Sequence, residues 1–172
     1  MKIKNIYLTA ALTLLSSSIQ ANPYISSSIG KTDDGDLTST SYSLAAGYKF
    51  NQQFALEASY EDLGSYSEDI YDDGDIANFN IDGLGLHLVG FMPIANNIDL
   101  FAKVGMVNWE LESSYMGLNG SIDGTDLSYG FGASYMLNDT SSLKLELDRI
   151  SLDVDGETAN LNTVSFGVTF SF

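Results

Sequence analysis

The last nine residues, VSFGVTFSF (Val164 to Phe172), decide the fold because their side chains alternate strictly in character. Every even-numbered position carries Val or Phe, and every odd-numbered position carries Ser, Gly or Thr. A period of two residues predicts a β-strand with one bulky apolar face and one face of small, polar side chains.

The same alternation recurs along the chain, for example in YSLAAGYKF (residues 42–50), LSYGFGASYML (residues 127–137) and LKLELD (residues 143–148). In a soluble sheet the polar face carries long charged side chains into water. Here that face is mostly Gly, Ser, Ala and Thr, which suits a cramped interior, while the other face is aromatic and aliphatic. This inversion predicts an all-β fold, an eight-stranded antiparallel up-and-down transmembrane β-barrel.

Eight segments fit this pattern, each about as long as a tilted strand needs to be to cross the bilayer core. They span residues 23–31, 41–50, 53–61, 82–92, 98–109, 126–137, 142–150 and 162–172. The third and fifth alternate less cleanly, so which of their side chains face inward is open by one residue.

Composition narrows the function. The 172 residues are enough for one domain, and there is no cysteine for a disulfide, a thiolate metal site or a cysteine nucleophile. The formal net charge of −16 repels nucleic-acid phosphates, so we expect no nucleic-acid partner. Such a surface attracts cations and basic partners.

The first 21 residues have the features of a signal peptide: Lys2 and Lys4, a short apolar run, and a small residue, Ala21. We expect Sec-type export and cleavage at or within a residue or two of Ala21, which leaves a barrel domain over residues 22–172. An N-terminal anchor is the alternative, but the apolar run is too short to span a bilayer as a helix.

The connections between the segments are of two kinds. Those after segments 2, 4 and 6 are short, whereas those after segments 1, 3, 5 and 7 (residues 31–41, 61–82, 110–126 and 148–162) are long and hold most of the acidic residues. Short periplasmic turns and long external loops are usual in outer-membrane barrels. The pattern therefore predicts acidic loops at the cell surface.

Two stretches, GYKFNQQFALEASYEDLG (residues 47–64) and LHLVGFMPIANNIDLFAKVGMVNW (residues 86–109), resemble strand regions of the eight-stranded barrel of outer-membrane protein A. The ending VSFGVTFSF resembles the last strand of that barrel. The resemblance implies a monomer in the outer membrane of a Gram-negative bacterium, surrounded by lipid and lipopolysaccharide, with both termini in the periplasm. It also implies insertion by the barrel-assembly machinery, with Phe170 and Phe172 as the assembly signal.

The resemblance is to the barrel alone, since these 172 residues contain no match to the archetype's periplasmic peptidoglycan-binding domain. Within the barrel, it implies an interior charge network with Glu57 and Glu146 as its acids. Two lysine positions of the family are occupied here by Val89 and Ser28. Because buried carboxylates without cations cost several kcal/mol, we expect pairing within one set. That set is Glu57, Lys103, Lys144, Glu146, Asp148 and Arg149.

The only histidine, His87, shares an inward face with Gly83 and Gly85. Some small outer-membrane barrels modify lipid A with a histidine, a serine and an acid, but such a group must reach lipid at the rim. We therefore expect His87 to pack inside the barrel or to bond to the charge network. The sequence predicts no catalytic residues, no enzyme activity and no cofactor.

The stretch DDGD occurs at residues 33–36 and 72–75 and raises the question of calcium binding. An EF-hand loop ends in a glutamate, and none of the candidate loops has one in register. Asp-Gly is also a favoured turn pair. We expect no dedicated metal site, only weak cation binding by the densest acidic loop, with Glu68, Asp69, Asp72, Asp73 and Asp75.

Three functions are compatible with these features. The preferred one is a structural and surface-interaction role, in membrane integrity or adhesion, with divalent cations or host surface ligands as partners. The alternative is a narrow ion or small-solute pore gated by the interior charges, because eight strands enclose a bore that side chains can just fill. A lipid-modifying enzyme is the least favoured.

Overall fold

The computed structural model describes residues 22–33, 35, 38–69, 76–115, 118–154 and 157–172. The predicted signal peptide lies outside these ranges. The described residues form eight strands: β1 (Asn22–Asp33), β2 (Thr38–Lys49), β3 (Phe54–Asp69), β4 (Ile76–Ala95), β5 (Ile98–Tyr115), β6 (Leu118–Asn138), β7 (Ser141–Val154) and β8 (Glu157–Ser171).

Each strand pairs antiparallel with the next one in sequence, and β8 closes the barrel by pairing with β1. The closing register runs from Tyr24 opposite Ser171 to Asp33 opposite Asn162. Closure satisfies the backbone hydrogen bonds of every strand and leaves no open sheet edge. The predicted eight-stranded up-and-down barrel is confirmed. No helix long and apolar enough to cross a membrane occurs in the described part of the chain.

The predicted long loops are largely paired strand. The β3–β4 pairing continues to Asp69 opposite Ile76, β5–β6 to Tyr115 opposite Leu118, and β7–β8 to Val154 opposite Glu157. The prediction of loops over residues 61–82, 110–126 and 148–162 is therefore wrong for the described residues of these ranges, while residues 70–75, 116–117 and 155–156 lie outside the description. Acidic residues and Asp-Gly pairs suggested turns, yet a hairpin that projects into water accepts polar side chains on both faces while its backbone groups stay paired.

The two ends of the barrel differ. The turn end carries Asn22, Phe172 and three short turns between β2 and β3, β4 and β5, and β6 and β7. Side-chain oxygens fix two of these turns. Asn51 accepts hydrogen bonds from the backbone of Gln53 and Phe54 at 2.8 Å each. Asn138 accepts one from the backbone of Thr140 at 3.0 Å. The opposite end, with the other four connections, is the loop end.

The structure settles the facing of the two ambiguous strands. Glu57 on β3 and Lys103 on β5 both point into the barrel and are buried. The outer surface is covered by large exposed apolar side chains, more than a soluble monomer shows. They include Ile29, Leu44, Tyr60, Leu84, Leu86, Met106, Leu127, Phe131, Leu145 and Phe166. This is the lipid-facing band of a transmembrane barrel.

One bulge interrupts the regular ladder of β3. Its register against β4 shifts between Asp62 and Gly64, and Gly64 has a φ of 112°. Only glycine adopts that conformation without strain. The Ser39 hydroxyl of β2 packs against Gly64, accepts a hydrogen bond from Ser65 N and donates one to Ser65 O, both at 3.0 Å. These contacts at the bulge hold the loop-end part of β3 against β2.

Candidate functional site

The interior consists of three layers stacked along the barrel. Nearest the turn end is an apolar group, the turn-side cluster, of Tyr24, Ala55, Val89 and Phe101. Nearest the loop end is a larger one, the loop-side cluster, of Leu63, Ile81, Val107, Trp109, Ile150, Leu152 and Leu161. Buried charged and polar residues lie between them and form the charge layer. Strand β3 shows the order, with Ala55, then Glu57, then Leu63.

The charge layer is centred on two lysines and two acids. Lys103 Nζ lies 2.8 Å from Glu146 Oε1 and 3.0 Å from Asp148 Oδ1, and Lys144 Nζ lies 2.7 Å from Glu146 Oε2. Alternation along β7 points Lys144, Glu146 and Asp148 inward together. Lys103 comes from β5 and reaches them across β6, where its register partner is Gly130.

Glycine on β6 makes that reach possible. A side chain at Gly130 would collide with the Asp148 carboxylate, and one at Gly132 would place its Cβ 2.6 Å from Phe101 Cζ. Close approach of this kind explains why the small polar face predicted from LSYGFGASYML is rich in glycine. Strand β6 has no inward side chain at Gly130 and Gly132, where the charged side chains of β5 and β7 form their ion pairs.

Glu57 joins the charge layer through a hydrogen bond. It accepts one from the Tyr24 hydroxyl at 2.8 Å, and Glu61, two inward positions further along β3, accepts one from the Ser59 hydroxyl at 2.8 Å. The ion pairs of the described residues do not include Glu57. Hydrogen bonds therefore compensate part of its desolvation. Tyr24 was missed by sequence reasoning, although its even-odd position on β1 marks it as inward beside Ser26 and Ser28.

Arg149 is a correction to the predicted network. It lies on the outer face of β7, where its Nε donates a hydrogen bond of 2.6 Å to Asn162 Oδ1. The reason is the strand period itself: with Glu146 and Asp148 inward, Arg149 shares the outward face of Leu145 and Leu147. The alternation of LKLELDRI already contained this information.

The two family lysine positions are filled without charge. Val89 is buried in the turn-side cluster. Ser28 is buried on β1, and its hydroxyl lies 2.5 Å from that of Ser43 on β2. The cations that serve the acids therefore come from β5 and β7, not from β1 and β4.

His87 is fully buried opposite Glu57, and packing alone holds it. Its ring lies against Gly85 and Gly105, with Ser59 beside Gly85. Neither ring nitrogen has a hydrogen-bond partner among the described residues. The described residues also contain no group of three or more His, Asp or Glu side chains arranged to hold a metal.

Two cavities flank the central ion pair. One of about 320 Å³ lies toward the turn end and is lined by Tyr24, Phe91 and Lys144 among others. The other, of about 30 Å³, lies toward the loop end beside Asp148 and Ser165. Lys103 and Glu146 line both cavities, so their ion pair separates them. The loop-side cluster lies beyond the smaller one.

The loop-side cluster was not predicted. Trp109 is its largest member; its indole Nε1 donates a hydrogen bond of 2.7 Å to Asp126 Oδ2, and its ring lies over Gly124 on β6. The available signal was parity: Lys103, Val107 and Trp109 occupy odd positions on β5. The irregular alternation of that segment concealed it.

The outer face near the loop end carries a row of carboxylates. Asp62, Asp82, Glu110 and Asp123 are direct register partners on β3, β4, β5 and β6. Two of them accept hydrogen bonds: the Tyr60 hydroxyl donates to Asp82 at 2.7 Å, and the backbone N–H of Gly64 donates to Asp62 at 3.0 Å. The predicted cation-binding loop is not part of this row. Its residues Asp72, Asp73 and Asp75 lie outside the described ranges, and for Glu68 and Asp69 only the backbone is described.

The two aromatic residues of the predicted assembly signal lie at the turn end. Phe170 is an outward residue of β8, and Phe172 is exposed, with its backbone N–H donating to Pro23 O at 3.0 Å. Their role in assembly stays a prediction.

Comparison with known families identifies the barrel. The model described as "Outer membrane protein beta-barrel domain" matches residues 7–172. The chain belongs to the outer membrane protein beta-barrel domain family. It is a small bacterial outer-membrane barrel, and the recognised likeness to outer-membrane protein A is confirmed at this level.

Solved structures share the fold of this outer-membrane barrel. Neisserial surface protein A is 12% identical with a TM-score of 0.69, covering 88% of this chain and 97% of that one. Ail, the attachment invasion locus protein of Yersinia pestis, in complex with the heparin analogue sucrose octasulfate, is 16% identical with a TM-score of 0.60 and the same coverage. The N-terminal barrel of Pseudomonas aeruginosa OprF is 15% identical with a TM-score of 0.62, covering 87% and 97%. No curated protein matches the sequence.

Proposed function

We propose that this outer-membrane barrel is a closed structural and surface-interaction protein, acting in membrane integrity or adhesion through its acidic loop end. The observation that carries the proposal is the loop-side cluster. Its seven apolar side chains are each 7% exposed or less, so they fill the bore where a channel would have to open. An ion crossing this layer would lose its hydration without gaining a polar partner.

The charge layer supports the same conclusion. Lys103 holds Glu146 and Asp148 in one cluster, and Lys144 holds Glu146 from the other side. A conducting path would have to break these contacts and also displace Trp109. An ion would therefore have to pass two separate barriers in series, the charge layer and the loop-side cluster, which argues against conduction.

The exposed chemistry of the loop end points to the kind of partner. The attachment locus protein Ail is known in complex with a sulfated, polyanionic heparin analogue. The full chain carries 23 acidic against 7 basic residues, and the barrel presents the carboxylate row of β3 to β6 near its loop end. Like charges repel, so we infer that partners bound at the carboxylate row are cationic or bridged by divalent cations and are not polyanions.

Conductance tests the closed state. Refolded protein in a planar bilayer should carry no steady current, and Glu57→Ala should not create one, because the loop-side cluster remains in place. A steady wild-type current that changes with Glu57→Ala would overturn the proposal.

The alternative is a gated narrow pore, and one observation favours it. The cavities of about 320 Å³ and 30 Å³ are both lined by Lys103 and Glu146, as a gate between two vestibules would be. If this ion pair is the gate, Glu146→Ala should raise conductance while Trp109→Ala should not. If the loop-side cluster closes the bore, Glu146→Ala alone should leave conductance at baseline.

The surface role has its own test. Cells displaying the wild type should bind cationic ligands without calcium and matrix ligands only in its presence, and deletion of residues 68–75 should reduce both. A matched replacement of the same residues by a neutral Gly/Ser segment separates charge from loop length. If neither change affects binding or detergent sensitivity of the cells, the acidic tip has no such role. Unchanged lipid A masses on expression would agree with the absence of lipid-modifying activity.

A further inference from the structure

The five basic residues of the barrel are unevenly distributed. Lys103 and Lys144 are buried in the charge layer, and Lys49 lies at the turn end with its Nζ 4.3 Å from the centre of the Phe91 ring. Lys31 and Arg149 are exposed on the outer face toward the loop end. Any anionic group approaching the outer face near the loop end therefore meets these two cations alone.

Lys31 and Arg149 lie on neighbouring parts of the wall. Arg149 on β7 is opposite Asn162 on β8, which is opposite Asp33 on β1, and Lys31 precedes Asp33 by two residues on the same face. With strands about 4.8 Å apart and a rise of about 3.4 Å per residue, their Cα atoms are about 12 Å apart. Two long side chains can reach one group between them.

The pair lies at the border of the lipid-facing band. The next outward residues toward the turn end, Ile29 on β1 and Leu147 on β7, are exposed and apolar, as is Val164 on β8, the register partner of Lys31. Tyr129, the register partner of Arg149, is an exposed aromatic residue of the kind that marks a membrane interface. Lipid headgroups lie at this level.

Both cations keep unused donors. The Arg149 Nε is occupied by Asn162 at 2.6 Å, which orients the guanidinium and leaves its two terminal NH2 groups. The Lys31 Nζ donates one hydrogen bond of 2.9 Å to Thr40 Oγ1. The ion pairs of the described residues involve only Lys103 and Lys144. A guanidinium and an ammonium group with free N–H donors match the oxygens of a phosphate.

The opposite wall excludes the same ligand. The carboxylate row of Asp62, Asp82, Glu110 and Asp123 occupies the outer face of β3 to β6. We propose that Lys31 and Arg149 form a binding site for the phosphate group of an outer-leaflet lipid, the phosphorylated headgroup of lipopolysaccharide, on the β7–β8–β1 face. The barrel thereby acquires a preferred side toward anionic lipid, independently of whether it conducts ions.

One nearby acid, Asp33, disfavours phosphate binding at this site and provides a second variant for the test. Asp33 shares the outward face of Lys31, and its carboxylate accepts hydrogen bonds of 2.9 Å from Gly35 N and from Thr38 Oγ1. Its negative charge repels phosphate, so Asp33→Asn should strengthen lipid binding while Lys31→Gln weakens it. Opposite shifts from two neighbours on one strand are not expected of damage to the fold.

The experiment is native mass spectrometry of refolded protein in detergent micelles titrated with diphosphoryl lipid A. Lys31→Gln and Arg149→Gln should each weaken binding about fivefold, the effect of one basic residue near an anionic lipid surface, and the double variant about 25-fold. The matched control Lys49→Gln removes one positive charge at the turn end and should leave binding unchanged. Lipid A stripped of its phosphates should bind the wild type as weakly as diphosphoryl lipid A binds the double variant.

Several results would overturn the proposal. These are wild-type affinity in the double variant, equal weakening by Lys49→Gln, or equal binding of phosphate-free lipid A. Inorganic phosphate that competes at the same concentration as the lipid would show a site for free anions and would overturn the lipid assignment. Folding is checked for every variant by the difference in gel migration between unboiled and boiled samples. If Arg149→Gln fails to fold, the opposite shifts of Lys31→Gln and Asp33→Asn decide.

Discussion

The two halves of the barrel interior are filled by different kinds of side chains, charged pairs in one and apolar residues in the other. Toward the turn end, a cavity of about 320 Å³ borders the paired lysines and acids of the charge layer. Toward the loop end, seven apolar residues, one of them Trp109, pack together as the loop-side cluster. The charge layer depends on each partner being present, whereas the apolar cluster depends on volume. Removing one charged partner should therefore lower the stability of the first half sharply. Shortening an apolar side chain should lower the stability of the second half in proportion to the volume lost.

The largest effect is expected for Glu146→Ala. The substitution removes the carboxylate that contacts both Lys103 and Lys144, so Lys103 keeps only its pair with Asp148 and the buried Lys144 ammonium loses its ion-pair partner. Breaking a buried ion pair by removing one partner costs about 3–5 kcal/mol. Urea unfolding in phospholipid vesicles measures this loss. The matched control is Glu112→Ala on the exposed face of β5, which should change stability little; equal loss in both would contradict the comparison.

A somewhat smaller and more gradual effect is expected in the loop-side cluster. Trp109→Ala should cost about 3 kcal/mol because it leaves a cavity among buried apolar residues. Trp109→Phe should cost less, since it keeps most of the volume and loses mainly the hydrogen bond to Asp126. The same unfolding assay applies. If Trp109→Phe were as damaging as Trp109→Ala, the hydrogen bond, and not volume, would dominate this half as well.

The sequence predicted the wall of the barrel better than its contents. Strand number, order and most facings follow from alternation, as in Val164 to Phe172, because lipid outside and a narrow bore inside impose opposite demands on successive residues. The set expected to pair includes Lys103 and Glu146, which form an ion pair, but it also includes Arg149, whose parity with Leu147 puts it outside. The contacts of Tyr24 and Trp109 depend on shear and on which glycine lies opposite, which one strand's sequence does not encode.

Tyr24→Phe tests the link between the turn-side cluster and the charge layer. The ring would keep its place over Gly47, but Glu57 would lose the hydroxyl that donates to it at 2.8 Å. Leaving a buried acceptor without this donor should cost about 1–2 kcal/mol. The double variant Tyr24→Phe with Glu57→Ala gives the coupling, because alanine has no side-chain acceptor for the tyrosine hydroxyl. Additive losses would mean that the hydrogen bond contributes nothing, and that the turn-side half is held by packing alone.

The smallest effect is expected outside the barrel, where the carboxylate row forms a third kind of region. Asp62, Asp82, Glu110 and Asp123 face one another across neighbouring strands without an apolar cover, so water and salt screen their repulsion. Glu110→Gln should stabilise the barrel by about 0.5 kcal/mol at low ionic strength, as removal of a directly opposed like charge does. Unfolding at low and high salt measures it, and the gain should vanish at high salt. Glu112→Gln, on the same face of β5 but opposite Asn80 and Ser121, is the matched control. A salt-independent gain, or the same gain from Glu112→Gln, would show that the row is not electrostatically strained and that its acids, unlike the buried pair, act independently.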